Sequence, residues 1–236
     1  MFSSASFFRT HLLLIPITLG LMGELSHFSG FDHALEMIFY DTASNSFPAH
    51  ASAALEMFGH HFAKTAVSMV WLALLVCVLS TYAWPRWRPN WTARRPALWS
   101  AFVGMAMGPL IVSALKGMNS YHCPWDLVDF GGGAEFTSSW FVPAAEVGHC
   151  FPGGHASSGF CLAALYFLAR ETDNPRLMRV MLMTTLAVGI SFSLIRMVQG
   201  AHFLSHNLWS AAICWAAAAL AFVPLYVQRQ RALVAA

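Results

Sequence analysis

Charge is what this sequence has least of: 10% of its 236 residues are Asp, Glu, Lys or Arg, against about 25% in soluble domains. With 57% hydrophobic residues and a mean hydropathy of +0.56, a surface exposed wholly to water is excluded. The sequence also lacks an internal repeat, a low-complexity tract and a small-x-small cleavage site after its first apolar run. These absences argue against a repeat array and against reading that run, Leu12 to Met22 behind Arg9 and His11, as a removed signal peptide. A net charge of +2 gives no reason to expect a nucleic-acid partner.

What is present is a series of apolar stretches near the roughly 20 residues needed to cross a bilayer. They fall near 10–29, 64–84, 97–116, 155–170, 178–197 and 205–227. The expected fold class is therefore all-α, a polytopic six-transmembrane-helix bundle forming one domain over 1–236. Short cytoplasmic loops collect Lys and Arg. Arg9, then Arg86, Arg88, Arg94 and Arg95, then Arg170, Arg176 and Arg179, then Arg229 and Arg231 occupy alternate connections. Both termini are thus expected to be cytoplasmic. Lys64, Lys116 and Arg196 remain, at helix ends on the opposite, outward side. Apart from Glu171, Asp173 and His11, every acidic residue and histidine also belongs to that side.

The segment Phe31 to His61, with Phe39, Tyr40, Phe47 and Phe58, suggests short interfacial helices. Gly117 to Gly154 is a long loop without obvious regular structure, a feature uncommon unless functional. Trp84, Trp87, Trp91 and Trp99 suit the cytoplasmic interface, and Met105, Met107, Met178, Met181 and Met183 suit packing. His27, His33, His50, His60 and His61 are each more economically read as packing or interfacial residues.

Three outward segments carry chemistry: Lys116 to Asp126, Phe151 to Ser157, and Arg196 to His206. Lys116 and Arg196 supply fixed charge matched to phosphate oxygens. Gly153 and Gly154 precede the fourth span, where backbone N–H groups can approach an anion. His155 and His202 offer a nucleophile and a proton donor. His206, four residues after His202 on one helical face, is a candidate to hold its ring.

These residues resemble the membrane-bound type-2 phosphatidic acid phosphatase superfamily, whose pattern is K-x6-R-P, then P-S-G-H, then S-R-x5-H-x3-D. Lys116 and Pro124 keep the first spacing, Pro152, Gly154 and His155 the second, Arg196 and His202 the third. The resemblance covers about residues 116–206. It implies His202 as the nucleophile forming a phosphohistidine, His155 as general acid, Lys116 and Arg196 as phosphate ligands, and no metal or cofactor. Its usual substrates are phosphatidic acid, phosphatidylglycerophosphate, polyprenyl diphosphate or lipid A phosphates, hydrolysed at the outer face. The expected partners are a lipid phosphate and the bilayer, and the expected place is a bacterial inner membrane with a periplasmic active site. Neither the particular lipid nor the oligomeric state is legible.

The chain departs from the pattern at four positions. Cys123 replaces Arg, Gly153 replaces Ser, Ile195 replaces Ser and His206 replaces Asp. His122 is a candidate for the lost phosphate donor, and Asp126 or Glu146 for the lost carboxylate. A lipid phosphotransferase and a non-catalytic lipid-phosphate binding or transport protein remain open. So does a His-rich metal or haem site, against which Lys116 and Arg196 would repel a cation. Cys77, Cys161 and Cys214 fall inside spans, whereas Cys123 and Cys150 lie in the outward loop beside motif positions. An oxidising compartment favours a Cys123–Cys150 disulfide, the alternatives being free thiols or a Cys123 thiol in the pocket.

Overall fold

A computed structural model describes residues 4–57, 63–85 and 89–235. The side chain of Lys64, and Phe58, His60, His61, Arg86, Trp87 and Arg88, lie outside the described residues. In lipid every backbone amide must find an internal partner, which favours helices. Helix α1 (Ser4–Phe7) continues through a π-helical stretch, Phe8–Leu14, into α2 (Ile15–Phe28). That stretch has a local cause. Pro16 has no amide to donate, and the Ile15 N–H reaches back five residues to Thr10 O.

Then come α3 (Phe31–Glu36), α4 (Ala53–Glu56), α5 (Ala63–Ala83), α6 (Pro89–Ala93) and α7 (Arg95–Lys116). After a long loop follow α8 (Gly154–Phe160), α9 (Ala163–Arg170), α10 (Pro175–Val198) and α11 (Leu204–Ala235). Among the described residues five segments are long and apolar enough to cross a membrane: Phe8–Phe28, Thr65–Ala83, Arg95–Lys116, Pro175–Val198 and Leu204–Ala232. No strand occurs among them, and two isolated bridges join Asp41 to Ser46 and Leu127 to Ala134. The chain is an all-helical integral membrane protein.

The fourth expected span, 155–170, is not one helix. It breaks at Cys161 and Leu162 into α8 and α9. The hydroxyls of Ser157 and Ser158 both donate to Gly154 O, and tight i to i−3 bonds from Leu162, Ala164 and Leu165 take over at the break. Ser-rich turns compete with regular helix in this way.

Helix α11 is the axis of the bundle. Half of its most apolar stretch is buried, against 17% for α5 and α10. Between helices in lipid, close packing of small residues drives association. Accordingly α11 turns Ala211, Ala212, Cys214, Ala217, Ala218 and Ala219 inward, where α7 comes close through Gly104 and Gly108. At one end of the bundle the arginines gather: Arg170 meets His11 Nε2 at 2.7 Å, Arg229 pairs with Glu171, and Arg95 donates to Thr81. The other end carries the long loop.

At this loop end Phe47, Leu127, Phe130 and Phe203 form a second core, with Phe39, Tyr40 and Trp125 against it. Phe39, Tyr40 and Phe47, expected at an interface, therefore build a cap over the bundle. Gly30, with φ +77°, turns the chain from α2 into α3 and brings Asp32 onto α11. Asp32 Oδ1 accepts from the Ser205 N–H at 3.0 Å and the Ser26 hydroxyl at 2.6 Å, capping the last helix from 173 residues away.

Beside Asp32 the Glu36 carboxyl is fully buried, and neither oxygen has a hydrogen-bond partner. Burial, then the Asp32 charge, raises its pKa from 4.5 to about 9. The folded protein holds a proton there that the unfolded chain releases above about 4.5, so stability declines as pH rises from 4.5 to 9. Glu36→Gln removes that penalty. It is expected to stabilise the protein by up to about 5 kcal/mol at pH 8 and by nearly nothing below pH 4.5. Thermal melts in detergent at the two pH values check this, and equal shifts at both would refute a protonated Glu36.

Candidate active site

Three segments meet at the loop end. Lys116 closes α7, and its Nζ lies 3.7 Å from the point where a Cβ on Gly154 would stand. His155 is half-buried in the first turn of α8. Arg196 ends α10, and a turn through Gly200, φ +73°, brings His202 to the start of α11. Any side chain at Gly200 would run into the Phe47 ring. Asn119 ties the first two segments, donating to Leu115 O at 2.6 Å and Phe151 O at 2.7 Å.

His202 is 3% exposed. Burial, followed by the positive fields of Lys116, His206, Arg196 and His155, holds it well below the ordinary imidazole range. It is therefore neutral at physiological pH, as a nucleophile or base must be. The Arg196 guanidinium lies over the Trp125 ring at 5.5 Å, donates to Gln199 Oε1 at 3.0 Å and approaches Glu56 Oε2 at 3.4 Å. Glu56, Gln199 and Trp125 had no local signal. They come from α4, the end of α10 and the long loop.

Cys123 and Cys150 form a disulfide, with Cα atoms 5.1 Å apart. It closes a loop of 27 residues and ties the first motif to the second. Cys123, Cys150 and His202 bring potential ligand atoms within 4.8 Å of one another. The disulfide bond removes both thiolates from metal ligation.

Several expected roles need correction. The Gly153 N–H donates to His206 O at 3.0 Å, so this amide is already used and does not face an anion. Of the glycine pair, Gly154 is the one beside Lys116. A Cβ at Gly153 would stand 2.6 Å from Asn207 Oδ1, which accounts for glycine where the resembling pattern has serine. His206 does not hold His202. Their ring centroids are 5.8 Å apart, His206 is walled by Phe151, Phe203 and Tyr121, and its Nδ1 has no partner. The group at His202 Nδ1 is Cys150 Sγ, at 3.3 Å.

Of the two loop carboxylates, Asp126 is half-buried, with its backbone carbonyl accepting from the Ala134 N–H, and Glu146 is exposed on a short 3-10 turn. His122 is half-buried next to the disulfide. Of the histidines read as packing residues, His27 stacks on Phe136 and His50 meets Trp125 edge-on.

An apolar groove of about 790 Å³ runs down the bundle between α2, α10 and α11, with Thr18, Leu19, Phe160, Ile190, Leu204 and Asn207 in its wall. Along α10 it extends from Leu182 to Met197, about 22 Å at 1.5 Å per residue. Asn207 joins it to the site, since the same side chain abuts Gly153.

A family model described as PAP2 superfamily matches residues 97–230. No curated protein and no solved structure matches the chain.

The Glu56 carboxylate competes with any anion for Arg196. Glu56 is half-exposed, and such pairs contribute up to about 1 kcal/mol. Glu56→Gln is therefore expected to tighten vanadate binding by up to roughly fivefold. Calorimetric titration of purified protein measures it, and weaker binding would mean that Glu56 supports the site instead.

Proposed function

The chain belongs to the PAP2 superfamily, and we propose that it is a lipid phosphate phosphatase working through a phosphohistidine at the loop end of a six-crossing bundle. In this reading α8 and α9 together make the fourth of the six crossings. The observation that carries the proposal is the neutral, buried His202 set among Lys116, Arg196 and His155, which come from three separate segments. Lys116 and Arg196 hold the phosphoryl oxygens, with Gly154 leaving room for them. Fixed positive charge of this kind stabilises the charge that spreads over a transferring phosphoryl group.

His202 attacks phosphorus with the lone pair of Nε2, and the bond from phosphorus to the lipid oxygen breaks. His155 gives that oxygen its proton. Water, deprotonated by the same His155, then attacks the phosphohistidine and releases inorganic phosphate with His202 restored. The chemistry needs neither electrons nor a metal. A lipid substrate is supported by the groove, whose apolar wall suits a hydrocarbon tail and whose lining includes Met197 and Leu204, near Arg196 and His202 in the chain.

The site is read as facing outward, in a periplasmic-type compartment. Two facts support this: the arginines gather at the opposite end, and a disulfide lies at the site, as oxidising compartments favour.

Phosphate release from a panel of lipid phosphates, with and without chelator, tests the reading. Turnover is expected to survive chelation and to be inhibited by vanadate. His202→Ala is expected to lower kcat by roughly three orders of magnitude or more, and His155→Ala by about 10²–10⁴. Wild-type turnover in a folded His202→Ala variant would remove the mechanism, and loss on chelation with recovery on adding a divalent ion would favour a metal site.

The groove gives a separate expectation. Ile190→Trp should raise KM for long-chain lipid phosphates several-fold and leave a short-chain phosphate unaffected. An equal change for both would mean that the tail lies elsewhere.

A further inference from the structure

A histidine nucleophile needs one ring nitrogen protonated and held so that the other keeps its lone pair. A carboxylate ordinarily does this. Here the residue four after His202 is His206, whose ring faces aromatic side chains. What lies against His202 Nδ1 is Cys150 Sγ at 3.3 Å. That sulfur is completely buried, bonded to Cys123, and 2.9 Å from Ala201 O, the carbonyl of the residue before His202.

The oxidation state of this sulfur decides what it can do. A disulfide sulfur carries no hydrogen, so towards a ring nitrogen it is an acceptor only. A thiol is both a weak donor and a weak acceptor. Facing the disulfide, Nδ1 takes the proton and Nε2 keeps its lone pair for phosphorus. Facing a thiol, Nδ1 can instead accept S–H, which moves the ring proton to Nε2 and blocks attack.

We propose that Cys150, as a disulfide sulfur, is the positioning residue of His202: it accepts from Nδ1–H and so selects the attacking tautomer, where the resembling family pattern uses a carboxylate. The proposal rests on the reading of His202 as the nucleophile. It assigns the disulfide a role beyond stapling the loop, because Cys123 only keeps the sulfur oxidised while Cys150 makes the contact.

A staple and an acceptor can be separated chemically. Cys123→Ala leaves a Cys150 thiol, opened on the half-exposed side that Cys123 occupied. Methyl methanethiosulfonate converts it: the Cys150 thiolate attacks the reagent's sulfenyl sulfur, a new S–S bond forms, and methanesulfinate leaves. The product, Cys150–S–S–CH3, has an acceptor-only sulfur with no tie to residue 123. The full-length protein in nanodiscs is assayed on a long-chain lipid phosphate, with mass spectrometry confirming the modification.

Cys123→Ala is expected to lose about tenfold or more in kcat with KM little changed, and the reagent to restore most of it. The double variant Cys123→Ala/Cys150→Ala should lose as much and recover nothing. Wild type, with only Cys77, Cys161 and Cys214 free, should be unaffected. No recovery in a fully modified Cys123→Ala protein, against an active wild type, overturns the proposal.

Ring-nitrogen NMR of His202 in the wild-type protein decides the matter independently, including where the variant does not fold. The Nδ1–H tautomer is expected before reduction of the disulfide and a mixture after it, whereas Nε2–H in the oxidised protein overturns the assignment. An inactive wild type with the Nδ1–H tautomer would instead count against the phosphatase reading and leave the Cys150 contact standing.

Discussion

The first turn of α11 is the fixed point on which the loop end depends. Asp32 caps it through the Ser205 amide, His206 O accepts the Gly153 N–H, and the Ser210 hydroxyl bridges Gly153 O and His206 O. These bonds join the turn after α2, the start of α8 and the start of α11, which are far apart in sequence. The first two engage the Ser205 and Gly153 N–H groups, which a helix N-terminus leaves unpaired, and in a water-poor setting such groups are costly to abandon. This network holds the start of α8, which carries His155, against the start of α11, which follows His202. The deep packing of α11 against α7 and α2 then transmits that placement through the bundle, since small residues allow little sliding.

Much of this was readable from local spacing. Lys116, His155, Arg196 and His202 are legible because each sits at the end of an apolar run within a short pattern of its own, and alternation of arginines told which ends share a side. The two loop cysteines were legible because they flank those same patterns. What stayed hidden depends on long-range contact. Asp32 meets Ser205 across 173 residues and Glu56 meets Arg196 across 140, and neither has a neighbour in sequence that marks it. The break between α8 and α9 was masked by hydropathy, which counts apolar residues and is blind to serine hydroxyls bonding their own turn.

Two inferences from spacing failed for one shared reason. Gly153 was given a free amide and His206 a hold on His202, because a helix start and an i, i+4 pair suggest both. The structure spends one group on the other: the His206 carbonyl takes the Gly153 amide, and the His206 ring turns into Phe151, Phe203 and Tyr121. Spacing gives which face a side chain shares, and it does not give which of several partners on that face captures it.

The departures from the family pattern then hang together as one substitution of parts. With cysteine at 123 a guanidinium is lost, and the same sulfur reaches Cys150 and fixes it beside His202. With no carboxylate at 206, a negative charge leaves a pocket that already holds Lys116 and Arg196, so the field around His202 becomes more positive. A neutral sulfur stabilises an imidazolium less than a carboxylate does, and burial, followed by the positive fields of Lys116, His206, Arg196 and His155, keeps His202 neutral. That is the state the proposed attack on phosphorus requires. In the proposed reaction the developing positive charge on the ring would be offset chiefly by the phosphoryl oxygens of the substrate itself, which would make the nucleophile strongest when a phosphate already sits between Lys116 and Arg196.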